Sequence, residues 1–244
     1  MGKRRFIKPD VVSLQLELPT NRTARAHNRQ VEEKVAGEKI RRKPGRPKKL
    51  VPVAIAISHY ARPKLGKKEV LHLTLKLRRG LPNLRRQKAF KAIERSFYKY
   101  SRGDGFRLTQ FSVQNDHLHF IAEADSKPAL SRAMQKLGIS LVKRLATLWG
   151  VAGSLYRERY HQHVLKSPLE VRRALLYVIQ NGKKHGEVRP HERDAYSSAP
   201  YFDGFKGVAA KRDPGRLIAE PLNWLLTKGW RNLGLIRMTE VPAT

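Results

Sequence analysis

The 244-residue chain carries 51 Lys+Arg against 20 Asp+Glu, a formal net charge of +31. Its default partner is therefore a polyanion, and nucleic acid fits best because Lys and Arg that neutralise phosphates release condensed counterions. The absence of cysteine excludes disulfides, thiolate zinc sites and a cysteine nucleophile, leaving histidine, carboxylate and carboxamide groups as candidate ligands for a hard ion.

No stretch approaches the roughly 20 apolar residues of a membrane span, and the N-terminal charges lack a following apolar segment, so the sequence predicts no membrane partner and a cytoplasmic, nucleoid-associated protein. Residues 1–50 lack sustained apolar periodicity, and bases far outnumber acids, which predicts a basic disordered arm. Within it Gly45-Arg46-Pro47 resembles an AT-hook, an extended Arg suited to the minor groove of A·T-rich duplex DNA. A nonspecific polycationic tail has the same composition.

Strict alternation in Leu71-His72-Leu73-Thr74-Leu75-Lys76-Leu77-Arg78 predicts a strand with one buried face and a polar face of His72, Thr74, Lys76 and Arg78. Helical spacing follows in Ala89, Phe90, Ile93 and Phe97, with Gly103 and Gly105 placed to end it. Two β-prone runs, Phe106 to Gln114 and His117 to Ala124, flank Asn115-Asp116 and read as an antiparallel hairpin. A helix is predicted from Ser126 and Pro128 to Gly150, then a fourth strand across Ser154 to Leu165.

Ser167-Pro168-Leu169-Glu170 is a capping box with proline at the first helical position, opening a helix to about Asn181 with Gly182 as its C-terminal cap. Val171, Ala174, Leu175 and Val178 form its apolar stripe, while Arg173, Tyr177, Gln180, Asn181 and Lys184 fall near the opposite side. The order β-α-β-β-α-β-α predicts an α+β, ferredoxin-like antiparallel sheet with helices on one face and an additional C-terminal helix. Residues 51–186 would form this domain, and 187–244 a mostly irregular extension with one short helix at about Pro221 to Lys228.

His117 and His119 point to the same side of their strand, because side chains alternate, and an i to i+2 repeat of about 6.6 to 7 Å lets two rings converge on one ion. Exposed or hydrogen-bonded histidines fit the same spacing. His161-Gln162-His163 shares it with a polar centre, and reads as phosphate-contacting or solvated. Tyr177 and Asn181 share a helix face, so they could bring a nucleophile and a carboxamide ligand to the histidines. A phenol attacks phosphorus only when a base, metal or cationic field assists. Alternatively Tyr177 packs on the sheet edge, and Asn181 simply ends the helix.

Taken together, four segments resemble the single-tyrosine HUH transposases, in the group that includes REP-associated tyrosine transposases. They are Leu71 through Arg78-Arg79-Gly80-Leu81-Pro82, Asn115-Asp116-His117-Leu118-His119-Phe120, Arg159-Tyr160-His161 and Tyr177-Val178-Ile179-Gln180-Asn181. Asn115-Asp116 stands where the family usually has Pro-Asn, and Gly182 where REP-associated members often have proline. The resemblance implies a nucleophilic Tyr177, a Mg²⁺ or Mn²⁺ held by His117, His119 and Asn181, and cleavage and rejoining of single-stranded or hairpin DNA through a 5′-phosphotyrosine, by a monomer or homodimer. The DNA-contacting set would be Lys76, Arg78, Arg79, Arg85, Arg86, Arg159, His161, Arg173, Lys183 and Lys184, with Arg46 in the arm. The competing readings are a noncatalytic nucleic-acid-binding protein with an RNA-recognition-like sheet, which requires exposed aromatics on the central strands, and a domesticated DNA-binding regulator.

Overall fold

The computed structural model describes residues 65–213 and 216–242, so the basic arm with Arg46 lies outside the described residues. The alternating Leu-rich segment forms β1 (Glu69–Lys76), and α1 (Gln87–Tyr100) follows it. A two-residue β2 (Arg102–Gly103) leads into the predicted hairpin, β3 (Phe106–Val113) and β4 (His117–Ala124). Then come α2 (Lys127–Trp149), β5 (His161–Leu165) and α3 (Pro168–Ile179). The five strands lie in the order β2-β3-β4-β1-β5 with every pairing antiparallel. Setting the short β2 aside, this is the ferredoxin-like plan. Among the described residues no helix is long and apolar enough to cross a membrane.

Alternation decides which helix covers which face. Leu71, Leu73 and Leu75 of β1 and Leu118, Phe120 and Ala122 of β4 join one core cluster with Ile93 and Phe97 of α1 and Met134, Leu137 and Leu141 of α2. Val70, Ile121 and Leu165 point the other way and form a second cluster with Val171, Ala174, Leu175 and Val178 of α3. Helices therefore cover both faces rather than one. Phe106, Phe111 and Phe120 are buried, so the central strands offer no base-stacking platform of the RNA-recognition kind.

Caps set the helix ends. Ser126 Oγ accepts from Ala129 N at the start of α2, and Gly150 closes that helix in the left-handed region at φ 64°. Ser167 Oγ accepts from Glu170 N, but the Glu170 carboxylate returns to Lys166 N, one residue before the cap.

Three further sequence expectations are corrected. The fourth strand is only His161–Leu165: a single bridge joins Tyr156 to Leu77, after which buried Leu155 and the Tyr156 hydroxyl, donating to Gly138 O at 2.9 Å, draw the segment onto α2. Gly182 is not a left-handed cap. The chain breaks at Gln180 (φ −108°, ψ 14°) and makes one more turn, α4 (Asn181–Lys184), with Gly182 buried inside it.

What position 182 demands is space, since a Cβ there would lie 2.6 Å from Asp194 Oδ2 and 2.9 Å from Val188 Cγ2. Asp194 cannot yield, because its two oxygens accept from Arg85 at 2.9 Å each. Gly182→Ala is expected to destabilise by about 1–3 kcal/mol, read as a lower urea midpoint at unchanged m.

The third correction concerns residues 187–244, which are no loose extension. Tyr196 O accepts from Val113 N, Ser198 N donates to Phe111 O and Ala219 N to Leu108 O, so this segment pairs the outer edge of β3. Phe202, Phe205, Leu226, Trp230 and Ile236 then complete the cluster beneath α3. The short helix is α5 (Trp224–Thr227), inside the predicted Pro221 to Lys228. Glu123, buried in β4, ties it down: it accepts from Arg107 Nε at 2.8 Å and from Leu222 N and Asn223 N at 2.8 and 2.7 Å.

Candidate active site

The polar face of the sheet, under α3, carries a group of histidines. Antiparallel register sets Lys76 opposite His117 and Thr74 opposite His119 on one side of β1, and His72 opposite His163 and Thr74 opposite His161 on the other. His117 and His119 have ring centroids 4.7 Å apart at nearly a right angle. His117 Nδ1 lies 2.7 Å from Asp116 Oδ1, and Asp116 in turn meets Lys76 Nζ at 3.7 Å. His119 Nδ1 lies 3.1 Å from Thr74 Oγ1 and 3.2 Å from His72 Nε2.

Burial decides the charge state of His119 and His72. His119 is 4 % exposed. Desolvation, reinforced by the neighbouring His72, His117 and His185, pushes its pKa down to about 2. His72 falls to about 4, again by burial first and then by His163. Both are neutral imidazoles at physiological pH, the form that ligates a metal.

Tyr177 meets these rings in the same chain. Its centroid is 5.0 Å from that of His119 and 5.7 Å from that of His72, both edge-on, and Lys184 Nζ stands 5.5 Å from the phenol ring. The α3 stripe of Val171, Ala174, Leu175 and Val178 is buried as its periodicity demands, which turns half-buried Tyr177 along the cluster edge toward the histidines. Asn181, in the turn after the break, is fully buried.

Among the buried polar atoms without hydrogen-bond partners are His119 Nε2, Asn181 Oδ1 and Asn181 Nδ2. Such atoms cost about 1–3 kcal/mol each unless something binds them. Since His117 uses Nδ1 for Asp116, its Nε2 is the nitrogen left for an ion. Among the described residues no three His, Cys, Asp or Glu side chains are spaced to hold a metal. A carboxamide oxygen is another donor type that a hard divalent ion accepts beside imidazole nitrogen. By donor type and by their unpartnered atoms, His119 and Asn181 with His117 Nε2 suit a divalent ion.

The remaining candidates separate by environment. Arg78, Arg79, Arg86, Arg159 and Arg173 are exposed, Lys184 is half-buried, and Lys76 keeps 38 % side-chain exposure beside Asp116. Arg85 is withdrawn from any DNA-facing set: its guanidinium donates to both Asp194 oxygens, to Val113 O and to Glu187, at 10 % side-chain exposure. Lys183 is also engaged inside the fold, donating to Pro190 O and Met238 O. His161 and His163 are exposed at the β5 edge of this face, 3.2 Å from Glu158 and 3.8 Å from Glu170.

Sequence reasoning assigned no site role to His72, Thr74, Asp116 or His185. For His72 and Thr74 the signal was present: they share the polar face of the first strand, and pairing that strand with the His-Leu-His strand brings them to His119.

No protein-family model matches the chain, and no curated protein matches it. Among solved structures, one similar chain is a REP-associated tyrosine transposase bound to a REP hairpin. It is 19% identical with a TM-score of 0.47, over 58% of this chain and 82% of that one.

Proposed function

We propose that this chain is a metal-dependent DNA strand transferase that cuts and rejoins single-stranded or hairpin DNA through Tyr177. The observation that carries the reading is the edge-on approach of the Tyr177 ring to neutral, buried His119, whose Nε2 has no partner. The motif resemblance to single-tyrosine HUH transposases supports it.

His117 and His119, with Asn181, would hold Mg²⁺ or Mn²⁺, which when bound polarises the scissile phosphate. Tyr177 oxygen bonds to phosphorus as the bond to the 3′ oxygen breaks. The phenol gives up its proton and the leaving oxygen gains one, leaving a 5′-phosphotyrosine and a free 3′-OH. A 3′-OH reverses the step, so strands exchange without an external energy source. Lys184, near the ring, supplies positive potential where phosphate charge develops.

Exposed Arg78, Arg79, Arg86, Arg159 and Arg173, with His161, would position the DNA backbone, while residues 1–50 with Arg46 add salt-dependent affinity and A·T-rich duplex contacts. The unit we assign to catalysis extends beyond residue 186, because the C-terminal segment completes the cluster under α3.

Labelled hairpin oligonucleotides incubated with the full chain and Mn²⁺ or Mg²⁺ test this. A covalent adduct that survives denaturation is expected, lost on chelation and in His117→Ala and His119→Ala while salt-dependent binding persists. Binding without any adduct across hairpin and single-stranded substrates would defeat the catalytic reading.

A further inference from the structure

The two candidate ligands are held in the same way by different partners. His117 has its Nδ1 against Asp116, the residue just before it. His119 has its Nδ1 against β1, with His72 Nε2 and Thr74 Oγ1 both in hydrogen-bond reach. We infer that His72, assisted by Thr74, is a positioning residue: it accepts the Nδ1–H of His119 and so presents His119 Nε2 as the ligating nitrogen. This rests on the reading of His117 and His119 as ligands.

The tautomer carries the argument. A neutral imidazole has one N–H and one lone pair, and the hydrogen bond at one nitrogen selects the other's role. With Nδ1–H donated to His72 or Thr74, the buried, unpartnered Nε2 carries a lone pair suited to a cation. The opposite tautomer would leave a buried N–H with no acceptor, the more costly arrangement. Outer partners of this kind orient a ring and raise its basicity as a ligand.

Packing makes His72 hard to displace. Its ring lies 5.2 Å from that of His119 and edge-on to Tyr177, so one side chain on the central strand touches both the candidate ligand and the candidate nucleophile. His72 stands behind the candidate ligand rather than beside the ion, its Nε2 3.2 Å from His119 Nδ1. Its Nε2 faces the ring nitrogen that the ion would not use.

Imidazole ¹⁵N NMR of the metal-free full chain reads the tautomer directly. His119 protonated at Nδ1 is expected, and protonation at Nε2 would overturn the inference. Mn²⁺ titration by calorimetry then compares variants. His72→Leu, which fills the site without an acceptor, should bind Mn²⁺ about 10- to 100-fold more weakly. His72→Gln, whose amide oxygen accepts from Nδ1–H, should recover most of that affinity, and Thr74→Val alone should lose less than His72→Leu.

Circular dichroism checks that each variant is folded, and the wild-type NMR result stands even if His72→Leu is not. Equal Mn²⁺ affinity in wild type and His72→Leu, or equal losses in Leu and Gln, would refute the positioning role. Failure to take up Mn²⁺ in the wild type would overturn both this and the metal centre. The expected Mn²⁺ series with no DNA adduct would leave the positioning intact and sink the strand-transfer reading alone.

Discussion

Tyr177→Phe should fold, bind hairpin DNA with the wild-type salt dependence, and form covalent adduct at least about 10³-fold more slowly, equivalent to about 4 kcal/mol at the barrier. The substitution removes one oxygen and keeps the ring, so the edge-on contacts to His119 at 5.0 Å and His72 at 5.7 Å remain. The α3 stripe beneath is untouched. A loss of adduct without loss of stability therefore isolates the hydroxyl. His119→Ala is a different perturbation, because it also opens a cavity against Tyr177 and leaves Thr74 and His72 without their shared partner. The comparison to measure is adduct yield against time, with melting temperature and oligonucleotide affinity on the same preparations. An adduct that persists in Tyr177→Phe would move the nucleophile to another residue and leave Tyr177 as packing.

How much of this site was legible before folding depends on the distance over which each pattern acts. The Leu71 to Arg78 alternation, the Ser126 and Ser167 caps and the turn at Asn115-Asp116 are local, and each appears where the residues dictate. His117 and His119 follow from the two-residue period. His72 required knowledge of pairing register, which the sequence does not print: only when β1 lies antiparallel beside β4 does its polar face meet His119. Arg85 and Lys183 read as phosphate contacts because a lone basic residue in a basic chain gives no sign that Asp194 or the Met238 carbonyl, far along the sequence, will take it. The same distance hid the value of the C-terminal segment. Its apolar residues, Phe202, Phe205, Trp230 and Ile236, are too widely spaced to show a period, and they acquire one partner surface only after α3 is laid down.

That segment makes the second large prediction. Trp230→Ala should cost about 3–5 kcal/mol, and with roughly 2–4 °C per kcal/mol for a domain of this size the melting midpoint should fall by about 6 °C or more. Trp230 is 1 % exposed, stacked on Phe202 at 5.6 Å, with its indole N–H donating to Leu226 O at 2.9 Å. Gly204 leaves the space the indole occupies, since a Cβ there would overlap it. The cavity would open beneath Val171, Leu175 and Val178, the stripe that turns Tyr177 toward the histidines. Arg172 and Gln180, which fasten α3 to Glu240 and to the carbonyls of Arg237 and Met238, are too few to hold the helix alone. Adduct formation in Trp230→Ala should therefore fail at a lower temperature than in the wild type, in step with unfolding, and Trp230→Phe should recover part of both. A midpoint that moves by less than about 2 °C would mean that α3 is held by the sheet alone and that the C-terminal segment is dispensable to the site.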